Sequence, residues 1–328
     1  MLRMPTFQVH QPTTAAEAVA LKAELPGSLY VAGGTDLLPN LKHWLHEPEH
    51  LVSLSGIESL CGITVADHTV TIGAGTPLQA IAEHPWLASH LPGLAAAVSS
   101  IAGPQHRRMG TIGGNIMLDT RCLFYNQSLH WRQSVGYCLK KDGTWCHVIG
   151  SAKACVAAQS SDSVPMLVAL GAEIEVEAPG AGTQRLPLAG LFTKDGRFEQ
   201  NHTVPEHALL TAVHLPRPPE GHRSVYRKVR ARAAVDFPQL SVALAGTFEG
   251  SECRSLSVVI GAMLPFPKAV PGTDVAVGTT LGDEVVEQIA IRAAKQARPQ
   301  AQIHGEPDWR RSLVGVETRR GLEALRTA

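Results

Sequence analysis

Four of the six cysteines in this 328-residue chain, Cys122, Cys138, Cys146 and Cys155, fall within one stretch, with 15, 7 and 8 residues between successive members. Four thiolates in one loop can meet around one centre, and a loop without a hydrophobic period of its own needs such a centre to become ordered. A cubane [4Fe–4S] core accepts irregular spacing with four Cys ligands, whereas the Cys-x4-Cys-x2-Cys pattern of a plant-type [2Fe–2S] site is missing. Structural zinc and unlinked free thiols are the competing readings, and against zinc stands the lack of a Cys-x-x-Cys knuckle. Tyr125, His130, Trp131, Trp145 and His147 lie between these cysteines and are expected to fill and shield the loop. Cys61 and Cys253 read as bystander thiols.

The second chemical signal is a pair of glycine turns. A diphosphate is best held by backbone amides, which point at oxygen without adding bulk, and glycine lets the chain approach closely and take positive φ. Gly33-Gly34-Thr35-Asp36 follows a short apolar strand and opens a helical pattern, but it is neither a Walker A loop nor a Gly-x-Gly-x-x-Gly fingerprint. Taken alone, a Gly-Gly before a helix is more often just a tight turn. The run Gly110-Thr111-Ile112-Gly113-Gly114-Asn115 repeats the theme. Two such turns, each followed by a small polar residue, can close on one diphosphate from opposite sides.

The elements that must position these residues are legible in outline. Thr14 and Glu17 form a capping-box pattern before an Ala/Leu-rich helix that stops at Pro26-Gly27. Residues 29–32 read as a buried strand and 37–44 as a helix. Residues 60–65 and 69–74 read as a hairpin across Ala66-Asp67-His68. Thr76-Pro77 is expected to cap a helix over 78–84, with another over 91–101. Between ~118 and ~158 neither helical nor strand period persists, so the cysteine stretch reads as an inserted loop. Beyond Pro216-Arg217-Pro218-Pro219, paired strands over 241–248 and 255–262 and amphipathic helices over 283–297 and 308–325 suggest a separate α+β domain.

Whole-chain quantities exclude some classes. The 29 basic and 29 acidic side chains cancel, so there is no electrostatic ground for a nucleic-acid or anionic-membrane partner. Neither a signal peptide nor a membrane span is read, and a cytoplasmic location is expected, where cysteines serve more often as ligands than as disulfides.

Several segments together resemble the FAD-binding subunit or domain of the xanthine oxidase and carbon monoxide dehydrogenase family. They are Ala32-Gly33-Gly34-Thr35-Asp36-Leu37, Arg108-x-Gly110-Thr111-Ile112-Gly113-Gly114-Asn115-Ile116, Ser161-Asp162-x-x-Pro165, Leu170-Gly171-Ala172, and Lys228 with Arg232 and Asp236. The resemblance covers nearly the whole chain. It implies an α+β architecture: a two-subdomain FAD-binding fold of the vanillyl-alcohol-oxidase (PCMH) type over 1–57 and 58–217, with the insertion inside the second part. A C-terminal domain over 218–328, an antiparallel sheet with helices, would be like that of the carbon monoxide dehydrogenase flavoprotein.

The same resemblance implies that Val31, Ala32, Gly33, Gly34, Thr35 and Asp36, with Thr111, Ile112, Gly113, Gly114 and Asn115, hold the FAD diphosphate. Leu29 and Tyr30 lead into the first of these segments. Ile101, with Ala102 beside it, and Leu210 match positions flanking the adenine. Asp162 matches an aspartate near the sugar and diphosphate, and Lys228 a lysine near the flavin. One departure is plain: the family runs closely from its Gly-Gly-Asn turn to its aspartate, and here the cysteine stretch intervenes.

Among relatives of that family, the insertion resembles the extra loop of the 4-hydroxybenzoyl-CoA reductase flavin subunits, which carries a [4Fe–4S] cluster. The resemblance implies an electron-relay subunit. Ferredoxin would be its donor, and its partners a small subunit with two [2Fe–2S] clusters and a large molybdopterin subunit, in a dimer of heterotrimers. The net reaction would be reductive dehydroxylation to benzoyl-CoA. Two rivals stay open: a flavin subunit of an oxidising hydroxylase that delivers electrons to an outside acceptor, and a nucleotide-binding docking subunit with a structural zinc loop.

Overall fold

The computed structural model describes residues 3–327. Three sheets organise it. The first holds three parallel strands in the order Gln8–His10, His50–Ser53, Leu29–Val31. The second is antiparallel and orders Ile63–Val65, Thr69–Gly73, Leu209–Pro216, Glu173–Ala178 and Gly182–Pro187. The third, also antiparallel, orders Lys268–Ala269, Glu252–Gly261, Leu240–Glu249 and His222–Val229. Two helices, Asp283–Gln296 and Pro307–Thr327, pack on each other, and the second lies against the third sheet.

The strand Leu240–Glu249 shows how the halves are joined. Side chains alternate across a strand, and here Leu240, Val242 and Leu244 enter the core under the two helices, while Ala243 and Ala245 enter the core of the N-terminal half. The large residues face the helices, and Gly321 of the second helix allows the approach: a Cβ there would lie 2.4 Å from Leu244 Cδ1. The small residues face the helix Ser163–Ala169, which packs against this strand and against Glu252–Gly261.

Several expectations need correction. Thr14 caps the helix Ala15–Glu24, its hydroxyl accepting from Glu17 N, but the Glu17 carboxylate accepts from Thr13 N and not from the cap residue. Thr76 does not cap the helix Leu78–Ala82; its hydroxyl donates to Gly62 O and accepts from Gly62 N, tying the turn to the hairpin. The Gly110–Asn115 turn continues into a one-turn helix, Ile112–Ile116. The short helices Pro85–His90 and Pro104–Met109 were not read from the sequence, although each has proline in its first turn. Among the described residues, no helix is long and apolar enough to cross a membrane.

Candidate functional site

The two glycine turns touch. A Cβ on Gly33 would fall 1.8 Å from Met109 O, and one on Gly110 would lie 3.3 Å from Thr35 Oγ1. Glycine is therefore required at 33 by backbone contact, and at 34 by its φ of 68°. The strand Leu29–Val31 and the helix Leu37–Lys42 fix the ends of the first turn. Among the described residues, the amides of Gly33, Gly34, Thr35 and Asp36 have no protein acceptor, in a segment that is half-buried and leads into a helix. Successive unpaired donors of this kind are a cradle for phosphate oxygens, so the first turn fits a dinucleotide.

The second turn contributes differently. Its amides from Ile112 to Asn115 are engaged within the protein: Ile112 N donates to Thr76 O at 3.1 Å, Gly113 N to Ala74 O at 2.8 Å, Gly114 N to Thr111 Oγ1 at 3.1 Å and Asn115 N to Thr111 O at 3.0 Å. Gly113 is needed for packing, since a Cβ would stand 2.8 Å from Ala74 Cβ. The side chains of Thr111 and Asn115 in this turn are half-buried. The Asn115 amide is oriented by Ser161 and Ser163, whose hydroxyls donate to its Oδ1 at 2.6 and 2.7 Å.

Asp162 and Lys228 bind each other. Lys228 Nζ lies 2.7 Å from Asp162 Oδ2 and also donates to Ser100 O at 3.0 Å, while Tyr226 donates to Asp162 Oδ1 at 2.7 Å. Both side chains are buried. Burial pushes the Asp162 carboxyl above its ordinary range, and the Lys228 charge pulls it back. This pair clamps the third sheet to the N-terminal half. Ile101 and Leu210 both pack into the core of that half. Ala102 takes a left-handed φ of 43°, and Arg107, which sequence reasoning missed, holds this bend by donating to Ile101 O at 2.9 Å and Ala102 O at 3.4 Å. Tyr30 is fixed by its hydroxyl, which donates to His207 O at 2.9 Å.

The cysteine stretch is a closed loop. Arg121 and Ala158 pair across its base, each amide donating to the other's carbonyl at 2.8 Å. Inside it Cys122, Cys138, Cys146 and Cys155 are all buried, at 6 to 8 % exposure, and all four line one cavity with Phe124 and His147. Burial, with a smaller push from the other cysteines' charges, raises the Cys122 thiol to about 12 and Cys155 to about 11, the rise at Cys155 being opposed by Lys140. Four such thiols can become thiolates together only around a cationic centre. Amide donors are already aimed at sulfur: Phe124 N at Cys122, Ile149 N at Cys146 and Ala157 N at Cys155, the last two at 3.4 Å. Among the described residues, no three His, Cys, Asp or Glu side chains converge closely enough to hold a single metal ion.

The shielding expected of the intervening side chains holds in part. Tyr125 is fully buried, and His147 stacks on Phe124 and is bonded to Tyr137 O at 2.6 Å. His130 is exposed, and Trp145 is 59 % exposed, its ring lying across Gly150. The loop is anchored by two buried cations far apart in sequence from most of their partners. Arg132 donates to Trp44 O at 2.6 Å and His43 O at 3.3 Å, and Lys140 binds Asp119, Thr120 and Gly196. Cys61 is exposed beyond the turn Glu58–Leu60, and Cys253 is buried in a strand, so neither joins the cavity.

Comparison with known proteins covers both halves. Residues 5–218 match the family described as the FAD binding domain in molybdopterin dehydrogenase, and residues 224–325 match the CO dehydrogenase flavoprotein C-terminal domain. The chain is 27 % identical over 323 residues to a putative xanthine dehydrogenase FAD-binding subunit of Escherichia coli K12, covering 97 % of this chain and 96 % of that one. It is 32 % identical over 247 residues to an aldehyde oxidoreductase FAD-binding subunit of the same organism, covering 73 % and 77 %. The solved structure of reconstituted CO dehydrogenase from Oligotropha carboxidovorans superposes with a TM-score of 0.81 at 28 % identity, covering 99 % of each chain.

Proposed function

We propose that this chain, which belongs to the family of FAD-binding medium subunits of xanthine and carbon monoxide dehydrogenases, is a two-cofactor electron relay of the 4-hydroxybenzoyl-CoA reductase type. It would take electrons from a low-potential donor such as ferredoxin and deliver them through [2Fe–2S] centres on a small partner to a large molybdopterin subunit. The net reaction would be reductive removal of the phenolic hydroxyl from 4-hydroxybenzoyl-CoA. Bound to this chain, FAD exchanges one or two electrons and a [4Fe–4S] cluster exchanges one at a time.

The chain's own part is to hold and place these groups. Gly33 to Asp36 offer amides to the diphosphate, Thr111 and Asn115 present side chains beside it, and Ile101 with Ala102 and Leu210 supply apolar surface for the adenine. The Asp162–Lys228 clamp fixes the third sheet against this region. Cys122, Cys138, Cys146 and Cys155 would ligate iron. The family brings FAD and not a cluster, so the iron–sulfur reading rests on the insertion alone. The observation that carries it is the convergence of four thiols from one loop on one buried cavity.

Visible absorption of the purified chain tests this reading. Flavin bands over a broad brown shoulder bleached by dithionite are expected, and a colourless or purely yellow protein that holds zinc would replace the relay with a docking module. The names of the relatives favour a second direction of flow, since several are dehydrogenases. Potentials separate the two: a cluster well below the flavin supports reduction of substrate, and a cluster above it supports oxidation.

A further inference from the structure

We infer that Lys140, locked by Asp119, is a fixed positive charge that sets the redox potential of the group ligated by the four cysteines; this rests on the iron–sulfur reading above. Lys140 lines the same cavity as the four sulfurs, whereas Asp119 stands behind it. Their side chains are 1 % and 8 % exposed, so solvent does little to screen either charge. Lys140 Nζ donates to Asp119 Oδ1 at 2.7 Å, Thr120 Oγ1 at 2.8 Å and Gly196 O at 2.6 Å. An ammonium has three N–H donors, and all three are taken. Lys140 therefore cannot bond to sulfur and acts through its charge.

The consequence follows from electrostatics. One-electron reduction adds negative charge to an already anionic tetrathiolate site, and in a poorly hydrated interior a nearby cation favours the more negative form. Lys140 accordingly raises the potential, and the Asp119 carboxylate opposes it from a greater distance. A residue that served only to tie the loop to Gly196 would give no such dependence on sign.

The test is a redox titration of the anaerobically purified native complex at pH 7, followed by the electron paramagnetic resonance of the reduced four-iron centre. Lys140→Gln should lower its midpoint, Asp119→Asn should raise it, and Lys140→Arg should stay near wild type. The double variant Lys140→Gln with Asp119→Asn removes both charges and should fall between wild type and Lys140→Gln. Equal potentials in loaded variants, or shifts of the same sign for Lys140→Gln and Asp119→Asn, would overturn the inference. Should Lys140→Gln fail to load its cluster, an unchanged midpoint in Asp119→Asn overturns it alone. A wild-type complex with no four-iron signal removes the underlying reading instead, a distinct result.

Discussion

The guanidinium of Arg121 stands 3.3 Å from the carboxylate of Asp36, joining the residue before Cys122 to the last residue of the first glycine turn. The same guanidinium lies 3.7 Å over the ring of Phe237. One arginine thus ties the insertion, the first glycine turn and the loop after strand His222–Val229 together. Burial pushes the Asp36 carboxyl up, with Arg121 pulling it down. Without Arg121, Asp36 would keep only the Asn40 amide as a side-chain partner, beside the turn proposed to hold the diphosphate. Arg121→Ala should weaken FAD binding on the order of tenfold, the scale of a lost charged hydrogen bond. Adding Asp36→Asn should recover most of the loss. Flavin fluorescence titration of the single and double variants measures both, and no recovery in the double variant would assign Arg121 a packing role.

Gly33→Ala should release FAD, because the added methyl must displace the Met109 carbonyl and so part the two turns. Gly190→Ala is the matched control: no atom lies within 4 Å of its added Cβ, and the change should stay within about 0.5 kcal/mol. Equilibrium unfolding and flavin content together check the pair.

Cys138→Ser should abolish iron binding and leave much of the FAD in place, since the loop is closed at its base by the Arg121–Ala158 pairing. Metal analysis and flavin quantification on the same sample report the two losses. An equal loss of both would mean that the loop and the flavin turns fold as one unit.

Acid should weaken the region around the insertion. Burial holds His46 and His202 at about 4, below the ordinary value of 6.5. As pH falls, the unfolded chain therefore takes up protons first. The stability from keeping these rings neutral is complete above ~6.5 and is lost as pH drops towards 4. Each ring is expected to remove about 1–2 kcal/mol by pH 5. The thermal midpoint should fall between pH 7 and pH 5, and His46→Gln should flatten that slope.

Much of this arrangement is local in sequence and was legible there. Thr14 caps its helix, Leu240–Glu249 and Glu252–Gly261 pair as expected, and the Gly33-Gly34 turn sits between a strand and a helix. Spacing alone placed the four cysteines in one loop, and they share one cavity. What was not legible depends on contacts across the chain. The Asp162–Lys228 pair spans 66 residues, so nothing local to either residue marks the ion pair between them. Lys140 meets Gly196 across 56 residues, and no pattern around Lys140 marks it as buried. The donors of Ile112 and Gly113 go to Thr76 O and Ala74 O, acceptors whose positions only the fold reveals, so the amide pairing of the second glycine run was not legible.

Iron and acid-labile sulfide per flavin, measured on the chain separated anaerobically from its complex, test the central claim most directly. About four iron and four sulfide for each FAD is the predicted result. Stoichiometric zinc, or flavin without iron, in a folded protein whose four cysteines remain reduced would contradict it.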